Sequence, residues 1–223
     1  VDAMAFLSPN QLAIAHSHNV LQIWDMQRKE FILTNSMKEN ASPITIEAFG
    51  SSYLVINNGS AYIAVWNIDT NTVTPITIDT YDSHKFNDNT LCLCGTDSKI
   101  TLWDVKTVEL IDTIQTNVDN EIFAADTWIS GQIIYSNINK LHIYDVKEKK
   151  TISTFETDCL KEFGSYNNIS YVKKLDSDRV IVVLNGDAEI GVGVIWHLET
   201  GETQKLFTLK STSYQPFVLK GSL

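Results

Sequence analysis

Several common protein classes are excluded by what this chain has little of. Only three of its 223 residues are cysteine, Cys92, Cys94 and Cys159. An odd number in no framework spacing argues against a disulfide-stapled secreted scaffold and for a reducing setting, intracellular and cytoplasmic. Basic residues are scarce, 17 against 27 acidic, for a net charge of −10. The largest lysine cluster is Lys147, Lys149 and Lys150. Without a basic track to displace counterions from phosphate, neither nucleic acid nor an anionic membrane surface is expected as the main partner. The longest apolar run, Val180–Leu184, has five residues, far short of the roughly 20 that cross a bilayer, so no membrane insertion is expected. No signal-peptide pattern is visible, and the chain opens at Val1 without an initiator methionine. Segments of roughly 10–15 residues with helical periodicity are also missing, which disfavours alternating strand–helix folds.

What remains is an ordinary globular composition, 43% hydrophobic and 20% charged, long enough to bury a core without a metal or disulfide staple. It is organised as a repeat. Val20-Leu-Gln-Ile-Trp24-Asp25-Met26 returns as Tyr62-Ile-Ala-Val-Trp66-Asn67-Ile68, Lys99-Ile-Thr-Leu-Trp103-Asp104-Val105, Lys140-Leu-His-Ile-Tyr144-Asp145-Val146 and Val192-Gly-Val-Ile-Trp196-His197-Leu198. The aromatics are 42, 37, 41 and 52 residues apart. Within each copy apolar residues occupy both parities of a period-two pattern, which predicts a strand buried on both faces. Gly193 replaces the apolar residue in the fifth copy.

Polar turns follow each aromatic strand, and further strand candidates precede it. These are Ala3–Leu7 and Leu12–Ala15, Ile44–Ala48 and Tyr53–Ile56, Thr90–Cys94, Ile122–Ala125 and Ile133–Tyr135, and Ile169–Val172 and Val180–Leu184. Four short strands per unit near 40 residues predict an all-β fold, a β-propeller of about five four-stranded antiparallel blades over residues 1–210. Residues 211–223 form a C-terminal extension or the start of a further blade. Whether five blades make the whole ring or a piece of a larger, seven-bladed one stays open, and the piece is the reading taken.

With Trp-Asp at Trp24-Asp25 and Trp103-Asp104, and degenerate versions at Trp66-Asn67, Tyr144-Asp145 and Trp196-His197, the copies resemble WD repeats. The resemblance covers about residues 1–210. The family's Gly-His dipeptide is absent from every copy, and its turn aspartate is present only as Asp97, with His18 in the equivalent first-copy position. The resemblance implies a non-enzymatic scaffold that binds protein or peptide on its loop faces, without a cofactor. It also implies that the hydrogen-bond network often tying His, Ser/Thr, Asp and Trp within a blade is incomplete here.

The residues offer little chemistry of their own. His16-Ser-His18 lacks a third metal ligand and matches a turn between strands. Cys92 and Cys94 share a strand face without a second pair, so they read as small core residues. A thiol nucleophile would need His84 or His142 beside it, and His142 is expected between blades, facing the same way as Tyr144. Gly186 to Gly193 leads into a strand, so it lacks the helix N-terminus of a phosphate loop. The loops before each blade and those preceding each aromatic strand should share a face. They carry His18, Tyr81, Asp82, Asp97, Asp119, Glu121, Asp158, Glu162, Phe163, Tyr166 and Asp187, together with an exposed-looking Leu160. Acidic groups with interspersed aromatics suit a basic peptide or protein patch. Trp128, in a short loop, is expected to fold onto its blade edge. Two alternatives remain: an enzymatic or small-ligand propeller using a central channel, or a self-associating piece of a larger complex. The expected first strands carry almost no ionisable group besides Glu47, which disfavours the channel enzyme.

Overall fold

A computed structural model describes residues 2–16, 20–37, 45–58, 62–78, 80–95, 97–116, 122–137, 140–156, 158, 160–161, 166–186 and 190–210. It is all-β: five four-stranded antiparallel sheets, each formed by consecutive strands. Blade one contains β1 (Ala3–Ser8), β2 (Gln11–His16), β3 (Val20–Asp25) and β4 (Glu30–Ser36). Blade two contains β5 (Thr45–Phe49), β6 (Tyr53–Asn57), β7 (Ile63–Asn67) and β8 (Thr72–Ile76). Blade three contains β9 (Thr80–Asn87), β10 (Thr90–Gly95), β11 (Lys99–Asp104) and β12 (Glu109–Gln115). Blade four contains β13 (Ile122–Thr127), β14 (Gln132–Asn137), β15 (Lys140–Asp145) and β16 (Lys150–Glu156). Blade five contains β17 (Tyr166–Lys174), β18 (Arg179–Gly186), β19 (Ile190–His197) and β20 (Thr203–Lys210). Among the described residues no helix is long and apolar enough to cross a membrane.

The chain divides into two compact units, Val1–Leu93 with Thr101–Thr113, and Cys94–Ile100 with Ile114–Leu223, the boundary running through blade three. In the first unit, blade one lays Leu7, Ala13, Ala15, Leu21 and Ile23 against Ile46, Leu54, Ile56 and Trp66 of blade two. The opposite face of blade two, through Phe49, Val55, Ile63 and Val65, meets Leu91, Leu93 and Val105. In the second unit, Ala124, Ile134, Leu141 and Ile143 of blade four meet Val180, Val182, Val192, Val194 and Trp196 of blade five. These middle strands are buried on both faces, as their period-two pattern requires. Trp66 is 0% exposed and Trp196 2%.

Two departures from the sequence pattern have physical explanations. The missing side chain at Gly193 is compensated across the ladder: Gly193 pairs with Phe207, whose ring fills the space a Cβ would take. The two faces of blade one differ in burial. Phe6, Leu12, Trp24 and Phe31 are cross-strand partners in a single row, yet Phe6 is 64% and Phe31 47% exposed. The matching row of blade two, Leu54 and Trp66, is fully buried.

Candidate functional site

The repeated Trp-Asp unit has a local structural job. In four blades the residue after the aromatic caps the tight turn between the third and fourth strands. Asp25 Oδ1 accepts from the backbone N–H of Gln27 and Arg28, both at 2.9 Å. Asp104 Oδ1 does the same for Lys106 at 2.8 Å and Thr107 at 2.9 Å. Asn67 accepts from Thr70 at 3.2 Å and Asp145 from Glu148 at 2.9 Å. The turn N–H groups, that of Thr107 at Asp104 and of Glu148 at Asp145, hold these carboxyls below their ordinary value. Blade five has His197 in this place, and Asp178 from the neighbouring turn substitutes, accepting from Glu199 N–H at 2.8 Å. The indole of Trp66 donates to Asn71 at 3.1 Å and that of Trp103 to Thr101 at 3.0 Å. The buried Trp196 Nε1 has no partner.

The first strands are more ionisable than the sequence suggested, a correction with a clear cause. β9 was not anticipated at all, because Thr80–Asn87 alternates no apolar residues, and it brings in Asp82, His84 and Lys85. β13 runs past Ala125 to include Asp126, and β17 extends from Tyr166 to Lys174. The carboxylates on these strands are used structurally. Glu47 Oε2 on β5 accepts Lys85 N–H on β9 at 2.9 Å. Asp126, 5% exposed, receives Lys173 Nζ and Lys174 N–H, each at 2.9 Å. Asp82 accepts Ser83 N–H at 2.9 Å.

Several of the expected loop residues prove to be strand residues. Tyr81 and Asp82 lie in β9 and Tyr166 opens β17. Leu160, expected to be exposed, is 2% exposed and part of the blade four and five core. Asp97 and Asp158 are exposed loop residues, as expected, but each already has a lysine: Asp97 pairs with Lys99, and Asp158 with Lys161 at 2.7 Å. Glu156 likewise pairs with Lys140 at 2.7 Å. His18, Asp119, Glu121, Glu162, Phe163 and Asp187 lie outside the described residues, as do residues 211–223. Trp128 is 7% exposed in the core of its unit, with Lys174 Nζ 5.5 Å from its ring centroid; it does fold onto the blade.

His142 sits in the protein interior. His142 is 7% exposed, stacked on Tyr135 with centroids 5.0 Å apart, and its ring nitrogens contact Thr154 at 3.0 Å and Asn137 at 3.3 Å. Burial, reinforced by Lys140, pushes its pKa below 6.5. His84 is half-buried on β9, and Cys92 and Cys94 are buried on β10. The sequence reading of the cysteines as small core residues agrees with their burial.

This blade pattern agrees with the known proteins most informative for comparison. The chain is 21% identical over 209 residues to methylosome protein WDR77 of Xenopus laevis, covering 84% of this chain and 61% of that protein. It is 30% identical over 126 residues to the WD repeat-containing protein 89 homolog of Dictyostelium discoideum, covering 54% of this chain and 31% of that protein. Among solved structures, a chain in the crystal structure of the mitotic checkpoint complex superposes with a TM-score of 0.61 at 15% identity, covering 96% of this chain and 64% of that one. This chain therefore spans less than two thirds of each of these proteins. No protein-family model matches it. The five aromatic-strand copies and the five four-stranded blades agree with these similarities: the chain resembles WD-repeat proteins, with degenerate copies of the repeat.

Proposed function

We propose that this chain is part of a non-enzymatic scaffold that binds protein or peptide partners through the loops of its blades. The observation that carries the reading is how its first-strand carboxylates are used. Among the described residues these are Glu47, Asp82 and Asp126, and each accepts a backbone N–H of its own or a neighbouring blade. None is left as a general acid or base facing a substrate. Exposed ion pairs remain, among them Asp97 with Lys99 and Asp158 with Lys161. Exposed pairs of this kind are worth about 0–1 kcal/mol, so a basic partner can displace the lysine at small cost.

The test is affinity capture with this chain as bait, repeated with Asp97, Asp119, Glu121, Asp158 and Glu162 reversed to lysine. The proposal expects near-stoichiometric protein partners, with recovery lowered about tenfold or more by the reversals. Unchanged recovery disposes of the acidic-loop assignment.

A second reading, that these blades belong to a larger propeller, is favoured by the row Phe6, Leu12, Trp24 and Phe31, whose end members Phe6 and Phe31 are 64% and 47% exposed. In blade two the same row packs on blade one, and in blade five Val180 and Trp196 pack on blade four. The occupant that fits blade one is therefore a further WD-like blade. Gel filtration of this chain alone checks the point. Self-association, relieved when the longer protein is used, supports it, and a monomer at high concentration overturns it.

A further inference from the structure

We propose that a groove between the turns of blades two and three binds an acidic peptide segment of a partner protein, a carboxylate side chain flanked by apolar ones. The groove is lined by the β5–β6 turn, the β9–β10 turn and the turn after β11, and encloses about 430 Å³. All of its lining residues belong to the first compact unit. The volume lies low in the roughly 300–1,000 Å³ that ligand sites span, room for a few side chains and not for a large cofactor. Its apolar lining is Phe49, Val105 and the half-buried Tyr53, members of one core cluster. Its charged lining is two lysines, Lys85 and Lys106, against one aspartate, Asp88. That local excess of positive charge stands out in a chain whose net charge is −10. Asp104, two residues before Lys106, is occupied by its own turn, accepting from Lys106 and Thr107 N–H.

Lys85 already shows what the groove attracts. Its Nζ lies 5.5 Å from the ring centroid of Phe49 and 2.8 Å from Asp88 Oδ1. Asp88 therefore marks where a carboxylate docks, against the ammonium and beside an aromatic ring. Lys85 holds the Asp88 carboxyl below its ordinary value, so a carboxylate in that place stays charged. The Asp88 side chain is 89% exposed and that of Lys85 31%, which makes the pair a screened one that another carboxylate can replace. A partner's aspartate or glutamate takes the position by displacing Asp88. Lys106, exposed on its turn, adds a second positive charge, and an adjacent apolar side chain lies over the exposed part of Tyr53. A basic segment would meet like charge here, and a wholly apolar one would desolvate the lysines without return. The site rests on the scaffold reading only in taking a protein segment, and its sign is opposite to that of the acidic loops.

The test titrates the full isotope-labelled chain with a capped pentapeptide, glycine-leucine-glutamate-leucine-glycine, and with its glutamine counterpart, following amide shifts by NMR. The glutamate peptide should move amides in 50–53, 85–89 and 105–107 and bind at least about threefold more tightly than the glutamine one. Lys85→Met keeps an unbranched stem beside Phe49 and should weaken the glutamate peptide about two- to fivefold. Asp88→Asn should strengthen it by about the same factor, because the competing carboxylate is gone; a purely structural ion pair gives no such gain. Added salt should shrink the difference between the two peptides. Equal binding of the two peptides, no shifts at millimolar peptide, shifts confined to other blades, or weaker binding in Asp88→Asn would each overturn the assignment. Affinity capture with the loop reversals reads the acidic loops and this titration reads the groove, so either assignment fails without the other.

Discussion

In every blade the fifth residue after the aromatic has a left-handed backbone: Lys29, Asn71, Val108, Lys149 and Gly201, with φ between 52° and 74°. The turn geometry, not the side chain, is what repeats. Val108 tolerates it because its side chain packs with the core around Phe49 and Leu91. At Gly201 nothing lies within 4 Å of an added Cβ, so a substitution there meets backbone strain alone. Gly201→Val should lower stability by about 1–2 kcal/mol, read as a shift in urea midpoint, and Lys149→Gly should leave it unchanged or slightly raised. His142 gives a residue-scale pH dependence. Its folded pKa is depressed below 6.5, chiefly by burial, so the unfolded chain binds the proton more readily. The contribution of neutral His142 is complete above 6.5 and is lost as pH falls through that value toward the folded one. Urea midpoints between pH 7.5 and 5.5 should fall more steeply for the native chain than for His142→Asn. Equal slopes would show that another group governs this range.

At the scale of elements, the legible strands were those whose burial imposes a pattern. β7, β14 and β15 are buried on both faces and read as apolar runs. β9 is written Thr-Tyr-Asp-Ser-His-Lys-Phe-Asn, and its place in blade three comes from pairing with β10. A polar strand of this kind is held by hydrogen bonds as well as by apolar burial, and Glu47 to Lys85 N–H is one of them. Asp126 does the equivalent work between β13 and β17. Asp126→Ala should cost about 1–3 kcal/mol, the price of leaving the Lys174 amide unsatisfied. Lys173→Ala should cost less than about 1 kcal/mol, because that side chain is 52% exposed and its attraction is screened. Equal losses in thermal unfolding would contradict this division.

For the whole molecule, the balance of covered and uncovered faces matters more than any one blade. Phe6, 64% exposed, contributes little to the isolated chain, so Phe6→Ser should change stability by less than about 0.5 kcal/mol. If the row it belongs to takes a further blade, the same substitution should reduce self-association measured by light scattering. Association that persists unchanged would move the contact elsewhere.

By itself the sequence determined the repeat, the number of blades, the aromatic strand and its turn, because burial on both faces and a tight turn leave periodic marks on residue choice. Tertiary structure alone decided which polar strand completes blade three, that Leu160 is buried, and that Tyr81, Asp82 and Tyr166 belong to strands. Those outcomes depend on pairing between strands, where the energy lies in backbone hydrogen bonds that any side chain permits.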